Sequence, residues 1–156
     1  MEIRPTISTD ADAIIALVAG GGVFTDEEVD AVQGLLDFYF RTPGQDEYLF
    51  ITADDDGRVA GFACYGRVAL TEKNYELNWI AAAPDTLRRG AGTLLLRAVE
   101  DLSRKRGGRF LNLETSSTEP YAAARAFYLR HGYDVVATIP DYYSDGDAML
   151  MYRKPL

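Results

Sequence analysis

The sequence predicts a single mixed α/β domain with about seven strands and four helices. Segments with the alternating pattern of strands and segments of helical period follow one another along the whole chain. Their order is strand, two helices, three strands, helix, strand, helix and two strands. No repeat, low-complexity tract or linker divides the 156 residues, and 47% hydrophobic residues can fill one core. We therefore expect one domain over residues 1–156.

The seven strands are predicted from short apolar runs that are bounded by turn residues. They are Glu2 to Pro5, Tyr48 to Ala53, Val59 to Val68, Tyr75 to Ala82, Arg109 to Thr115, Tyr133 to Thr138 and Ala148 to Arg153. Asp54 to Gly57, between the second and third strands, is typical of a hairpin turn. Pro140 to Asp147, between the last two strands, is rich in turn residues and is expected to be irregular.

The four helices are predicted from apolar residues at helical spacing and from their start and stop signals. Thr9 with Asp12, and Thr25 with Glu28, have the spacing of capping boxes and predict the starts of the first two helices. The first two helices are expected to run to Ala19 and to about Phe40. The third is expected to follow the turn at Gly90 and Gly92 and to run to about Arg106, and the fourth to run from near Pro120 to His131–Gly132.

Composition and charge exclude some classes of function. The formal net charge is −8, and no basic stripe is visible, which argues against a general nucleic-acid binder. The apolar segment Ala13 to Phe24 lacks a basic flank and is too short to span a bilayer, so we expect no membrane association. Cys64 is the only cysteine and is interpreted as a buried hydrophobe in a protein of the reducing cytoplasm.

The most informative stretch is a glycine-containing turn between a predicted strand and a predicted helix. It comprises Leu87, Arg88, Arg89, Gly90, Ala91, Gly92 and Thr93. A turn of this kind directs backbone N–H groups and the positive end of a helix at one point, which suits a phosphate or pyrophosphate. Glycine leaves room for a ligand, and the two arginines add positive charge. The alternative is a turn that only packs.

A second signature lies downstream, in the run from Tyr121 to Tyr133 that contains Ala-x-x-Phe-Tyr-x-x-x-Gly-Tyr. Together with the glycine turn and the element order, this run resembles the GNAT superfamily of acetyl-CoA-dependent N-acetyltransferases. The resemblance implies acetyl-CoA as cosubstrate, no metal, and a site where the fourth and fifth strands splay apart. Glu114 to Ser117 and Pro140 to Asp147 further resemble an uncharacterised branch of the superfamily, which suggests no particular substrate.

The resemblance also implies how the cofactor is held. The backbones of Ile80, Ala81 and Ala82 would bond to the pantetheine arm like an added strand. Residues Arg88 to Thr93 would bind the pyrophosphate. Two positions depart from the family pattern: Leu87 stands where Gln or Arg is usual, and Tyr121 where Asn often contacts the cofactor. Arg88 or Arg89 is expected to supply the charge that Leu87 lacks.

Catalytic roles follow from the same resemblance. Tyr128 matches the tyrosine beside the cofactor sulfur and would protonate the leaving thiolate, unless it only packs. Glu76 is the candidate base for the acceptor amine, and its position four residues before Ile80 predicts that both side chains share one face of the strand. Glu114, on a polar face of the next strand, is the alternative base or an acceptor contact. Tyr142 is a further candidate for binding the acceptor.

The predicted function is direct transfer of an acetyl group from acetyl-CoA to a primary amine of a small molecule or peptide. Carboxylates and tyrosines would suit a cationic or aromatic amine. A homodimer is left open. The alternative on the same fold is a non-catalytic acyl-CoA-binding or regulatory module. A nucleotide-binding protein is a further rival, but no Gly-Lys-Ser/Thr triplet follows the glycine turn.

Overall fold

The computed structural model describes residues 1–156 and contains one seven-stranded sheet in the order β1-β2-β3-β4-β5-β7-β6. The strands are β1 (Glu2–Pro5), β2 (Leu49–Asp55), β3 (Arg58–Arg67), β4 (Asn74–Ala82), β5 (Phe110–Ser116), β6 (Asp134–Ser144) and β7 (Asp147–Pro155). All neighbours are antiparallel except β4 and β5, which are parallel. The predicted mixed α/β fold and its seven strands are confirmed.

The structure has five α-helices, one more than the sequence predicts. They are α1 (Ala11–Gly20), α2 (Asp26–Arg41), α3 (Pro84–Leu87), α4 (Ala91–Lys105) and α5 (Ala122–Arg130). The additional helix, α3, is a single turn that begins with Pro84 and precedes the glycine turn. No helix is long and apolar enough to cross a membrane.

Helices cover both faces of the sheet and enclose two hydrophobic clusters. On one face, residues of α4 and α5 such as Leu95, Val99 and Tyr128 pack against β2 to β5 and β7. On the opposite face, α1 and α2 pack against β2, β3 and β4, where Phe62 and Cys64 are fully buried. We call these the α4 face and the α2 face. The buried Cys64 agrees with its interpretation as a core residue.

The two predicted helix caps have different outcomes. Thr25 and Glu28 form the predicted capping box at the start of α2, with both reciprocal hydrogen bonds present. The predicted box of Thr9 with Asp12 is wrong. Asp10 instead accepts a hydrogen bond from the backbone N–H of Ile7 and ends a 3₁₀ turn before α1. Arg4, on β1, donates to both oxygens of the same carboxylate, so a contact from outside the helix favours Asp10 as the residue before the start of α1.

Strand β6 is longer than predicted. It reaches Ser144 and so includes part of the segment that was expected to be irregular, and a tight turn at Asp145 and Gly146 leads into β7. Residues 140–143 form a bulge, because β6 has four residues between the pairs Ile139–Met149 and Ser144–Asp147, where β7 has one. Asp141, within this bulge, has a φ of 52°. All eleven of its residues are exposed, because β6 is the outermost strand of the sheet.

Strand β4 contains a β-bulge at Asn78. Trp79 is opposite Cys64 on β3, whereas Leu77 is opposite Tyr65, so β4 has one residue more than its partner between these pairs. The extra residue reverses the alternation of side chains along the strand. Tyr75 and Leu77 therefore lie on the α4 face, Trp79 lies on the α2 face, and Ile80 returns to the α4 face.

Candidate functional site

A wedge-shaped opening separates β4 from β5. The two strands pair only from Asn74 to Glu76 with Phe110 to Asn112, and beyond that point β4 follows β3 while β5 follows β7. The backbone from Ile80 to Ala82 consequently pairs with β3 on one edge and leaves its other edge free. An extended chain can add to an edge of this kind. At the base of the opening, the side chain of Asn112 donates to the carbonyl oxygen of Tyr75.

The glycine turn presents three free N–H groups at the start of α4. Gly90 has a φ of 86°, in the left-handed region that favours glycine, and the chain turns there from α3 into α4. The N–H groups of Arg89 and Gly90 already donate to carbonyl oxygens within the turn, at 3.0 and 3.1 Å. Those of Ala91, Gly92 and Thr93 have no backbone acceptor. Among the residues Arg88 to Thr93 that were expected to bind a pyrophosphate, the last three therefore have backbone N–H groups that are free to donate.

The two arginines of the turn differ in their partners. The guanidinium of Arg89 donates to both carboxylate oxygens of Asp55 on β2, at 2.6 and 3.0 Å. Arg88 is exposed and forms no ion pair or side-chain hydrogen bond. The expected charge that replaces Leu87 is therefore available from Arg88, whereas the Arg89 side chain is engaged in holding the turn against the β2–β3 hairpin.

Helix α5 packs directly behind the glycine turn. A Cβ atom added to Gly92 would lie 3.7 Å from the ring of Phe127, which is ordinary van der Waals contact. His131, at the end of α5, lies 3.1 Å from the hydroxyl of Thr93 through Nε2. Its Nδ1 is 2.8 Å from the carbonyl oxygen of Phe127. The end of α5 therefore contacts the glycine turn through His131.

Tyr128 is buried among aromatic rings on the α4 face. Its ring lies 6.0 Å from that of Tyr133 and 5.8 Å from that of Tyr152, between centroids. Burial raises the pKa of the phenol well above its usual value near 10, so Tyr128 stays protonated at physiological pH. Its hydroxyl forms no hydrogen bond within the protein and is free to donate to a ligand.

Glu76 lies on the α2 face, opposite Ile80, and the expectation that the two share a face is wrong. The bulge at Asn78 reverses the alternation between them. Burial and the nearby Glu114 raise the pKa of the Glu76 carboxyl. The carboxylate accepts no hydrogen bond from the protein, and it borders a cavity of about 200 Å³. The cavity is lined by Glu47, Tyr48, Gly66, Arg67, Val68, Ala69, Glu76 and Asn78.

Glu114 and the β6–β7 hairpin line the far side of the opening. Leu113 on β5 packs on the α4 face, so Glu114 points to the α2 face together with Glu76. Burial and the charge of Glu114 raise the pKa of Tyr143 to about 12. Tyr142, the candidate acceptor contact, is about half exposed on the same hairpin, and its ring lies 5.0 Å from that of Tyr143 between centroids.

Tyr121 and Glu28 bridge the two sides of the opening, a contact that sequence reasoning missed. The hydroxyl of Tyr121, before α5, donates to Glu28 at the start of α2 over 3.4 Å. Burial and Glu28 raise the pKa of Tyr121. The capping-box spacing had identified Glu28, but no local pattern relates it to a residue 93 positions away. The hydroxyl of Tyr121 is thus directed at the start of α2.

The chain matches a known family over most of its length. The sequence profile of the acetyltransferase (GNAT) family matches residues 17–133. The uncharacterized N-acetyltransferase MJ1530 of Methanocaldococcus jannaschii is 29% identical over 143 residues, with 84% of this chain and 88% of that protein covered. The uncharacterized N-acetyltransferase YedL of Escherichia coli is 34% identical over 76 residues, which cover 49% of this chain and 48% of YedL.

A solved structure has the same architecture. A crystal structure from Desulfovibrio desulfuricans, assigned to the GNAT family of acetyltransferases, superposes with a TM-score of 0.92 and 37% identity. The superposition covers 99% of this chain and 98% of that one. The chain therefore belongs to the acetyltransferase (GNAT) family, and we conclude that it is an acyltransferase.

Proposed function

We propose that the protein transfers an acetyl group from acetyl-CoA directly to a primary amine. One observation carries the proposal: the free edge of β4 and the free N–H groups of α4 follow each other along one opening. The pantetheine arm would add to the edge at Ile80 to Ala82, and the pyrophosphate would cap α4 at Ala91 to Thr93. Because the net charge of the protein is −8, an anionic ligand needs a local positive charge, and Arg88 supplies it.

The acid and the base approach the thioester from opposite faces of the sheet. The amine nitrogen attacks the carbonyl carbon from the α2 face, where Glu76 removes its proton through a water molecule. A backbone N–H on β4 stabilises the charge that develops on the carbonyl oxygen. The C–S bond then breaks, and Tyr128, on the α4 face, donates its proton to the departing sulfur. The attack of the amine has by then formed the C–N bond, so loss of the thiol leaves the amide product.

The acceptor that suits this site is a cation before it reacts. Glu28, Glu76, Glu114 and Asp147 surround the acceptor side, and each raises the pKa of a neighbouring side chain or has its own pKa raised. A protonated amine would be attracted to these carboxylates and to the tyrosine rings beside them. Small polyamines and peptides with a free amine both meet this description.

A thiol-release assay with acetyl-CoA and a panel of amines tests the function. The panel contains polyamines, amino-acid amides, aminoglycosides and peptides with free N-termini, and N-acetylated versions of the same compounds serve as controls. We expect release of coenzyme A only with free amines. Tight binding of acetyl-CoA without turnover on any amine would instead support the alternative, a non-catalytic acyl-CoA-binding module.

We further propose that the protein acts in the cytoplasm as a homodimer joined at β6. Strand β6 is the exposed edge of the sheet, carries no Lys or Arg, and exposes Val135, Val136 and Ile139. An identical copy is the fitting partner, because an antiparallel edge pairs with itself about a twofold axis. Sedimentation should give a dimer that Val136→Lys dissociates. Leu70→Lys, at a fully exposed position outside β6, should leave it intact, and a monomeric wild type would refute the dimer.

A further inference from the structure

The only histidine of the chain lies beside the turn to which we assign the pyrophosphate. The ring of His131 is 4.3 Å from the ring of Phe127, between centroids, and Phe127 lies against Gly92. His131 also contacts the hydroxyl of Thr93, a residue with one of the three free N–H groups of α4. A titratable side chain is therefore in hydrogen-bond contact with the proposed anion site.

The hydrogen bonds of His131 determine its tautomer while the ring is neutral. Nδ1 lies 2.8 Å from the carbonyl oxygen of Phe127, which can only accept, so Nδ1 carries a hydrogen. Neutral imidazole has no second N–H, and Nε2 must accept from the hydroxyl of Thr93, 3.1 Å away. In this state the single O–H of Thr93 points to His131 and cannot donate to a ligand.

Protonation of the ring reverses this hydrogen bond. An imidazolium donates from both nitrogens, so Nε2 donates to Thr93 and the threonine hydroxyl becomes free to donate elsewhere. The start of α4 gains one hydrogen-bond donor beside its free N–H groups. It also gains a positive charge close to the anion. The protonated state is thus the better anion site.

None of the charged side chains around His131 forms an ion pair with its protonated ring. Arg130 precedes it on α5, and Arg97 follows Thr93 by one turn on α4. Lys154 on β7 approaches Gly132 but is bonded to both oxygens of Glu100, at 3.0 Å each. No carboxylate forms a salt bridge with His131, so a bound anion would be the first negative charge to stabilise the imidazolium.

We propose that His131 and Thr93 couple binding of the coenzyme diphosphate to the uptake of a proton by the imidazole. The proposal rests on the function proposed above, because it places the diphosphate at the start of α4. Since the complex holds the proton more tightly than the free protein, affinity is greatest at acidic pH. It declines as pH rises through the titration range of the ring. By the same linkage, binding shifts the titration of His131 to higher pH.

An NMR titration of the single histidine tests the coupling directly. One set of imidazole signals is followed against pH, with and without dephospho-CoA. This ligand keeps the diphosphate but lacks the 3′-phosphate, a group that would titrate near pH 6 itself. We expect the midpoint to rise by about one pH unit on binding, equivalent to about a tenfold difference in affinity between the two protonation states. A midpoint that stays in place or falls would overturn the proposal.

Variants of Thr93 separate the hydrogen-bond relay from simple charge attraction. Thr93→Val keeps the shape but removes the hydroxyl, so the midpoint should rise by clearly less than in the wild type. Thr93→Ser should restore the full rise. An equal rise in all three proteins would overturn the relay, because attraction by the diphosphate alone would then account for it.

Calorimetry provides a second measurement that does not depend on the threonine variants. Binding of dephospho-CoA is measured near neutral pH in two buffers with different enthalpies of ionisation. The wild type should take up a fraction of a proton, and His131→Gln should take up none. Equal uptake by both proteins overturns the coupling. Binding without a midpoint shift overturns the coupling alone, whereas failure to bind either dephospho-CoA or acetyl-CoA overturns the proposed function as well.

Discussion

At the scale of single residues, the two side chains to which we assign opposite proton transfers have surroundings that suit these proposed roles. Tyr128 is buried among rings and remains a phenol, whereas Glu76 is partly buried near another carboxylate and holds its proton more tightly than an exposed Glu. A base with a raised pKa accepts a proton from an amine more readily than an ordinary carboxylate does. Neither group is held by a hydrogen bond inside the protein.

Replacing Tyr128 by Phe removes only the hydroxyl. We expect turnover to fall by roughly 10²–10⁴-fold, with little change in the affinity for acetyl-CoA, because the phenol acts on the leaving sulfur. Tyr152→Phe is the matched control, since it removes a hydroxyl from a neighbouring buried ring on the same face. Steady-state kinetics and calorimetry measure the two quantities. Unchanged turnover in Tyr128→Phe would reduce this residue to a packing role.

Replacing Glu76 by Gln should lower turnover at neutral pH by roughly 10²-fold. The base is active only when ionised, so wild-type turnover should rise with pH through the raised pKa of Glu76. In the variant this rise should disappear, and activity should recover in part at alkaline pH, where more free amine is present. Glu114→Gln is the matched control, and pH–rate profiles make the comparison. Superimposable wild-type and Glu76→Gln profiles would move the base role to Glu114 or bulk water.

Although Glu76→Gln should lower turnover, it should raise the stability of the fold. A carboxyl whose pKa is raised by folding favours the folded state below its unfolded pKa. This contribution is lost as pH rises through the folded pKa. Gln cannot ionise and avoids that loss. Thermal unfolding at neutral pH should therefore show Glu76→Gln to be more stable than the wild type, although it is less active. A less stable variant would indicate that the carboxylate holds the fold together.

At the scale of elements, substitutions at the start of α4 should weaken ligand binding without disrupting the fold. Gly92→Val should weaken binding of acetyl-CoA while most of the fold remains, because the side chain points at Phe127 and its larger bulk would displace the turn that holds the free N–H groups. Gly92→Ala fits the space in front of Phe127 and should weaken binding less. Gly34→Ala, in an open position on α2, is the control that should leave affinity unchanged. Calorimetry that finds equal affinities would contradict the pyrophosphate assignment.

Local sequence signals predicted the elements but not the contacts between distant ones. The spacing of Thr25 and Glu28 identified a helix start because both partners of that cap lie within one turn. Thr9 and Asp12 had the same spacing, but Arg4 and Ile7 bind Asp10 instead. The end of β6 was placed too early because its turn-forming residues at 140–143 form a bulge, after which the strand resumes pairing at Ser144.

The candidate site was predictable where a backbone motif forms it. The glycine turn is encoded in consecutive residues, and the structure places it at the start of α4. The face on which Glu76 lies was not predictable, because a single inserted residue reverses it and the sequence around Asn78 has no bulge signal. Tyr121 with Glu28, and Tyr143 with Glu114, require the sheet order to bring them together.

At the scale of the whole molecule, binding of acetyl-CoA should stabilise the fold. A ligand that binds only the folded state at a hundred times its Kd adds about 2.7 kcal/mol to the free energy of unfolding. For a chain of this size that corresponds to a rise in Tm of roughly 5–10 °C. NAD and ATP contain a diphosphate but no pantetheine arm and should give much smaller rises. Equal rises with all three ligands would argue for a general anion site.

The bulge in β4 separates the part of the strand that we assign to the coenzyme from the part that we assign to the acceptor. Beyond Asn78, the proposed function assigns only the backbone to the coenzyme, so substitutions that preserve the packing of the side chains and the open edge are expected to be tolerated. Before Asn78, the proposed function assigns the side chain of Glu76 to the acceptor, so substitutions there are expected to change which amine is accepted. Deleting Asn78 would direct Glu76 into the packed α4 face. A descendant of this protein could therefore acquire a new acceptor while its coenzyme chemistry is inherited unchanged.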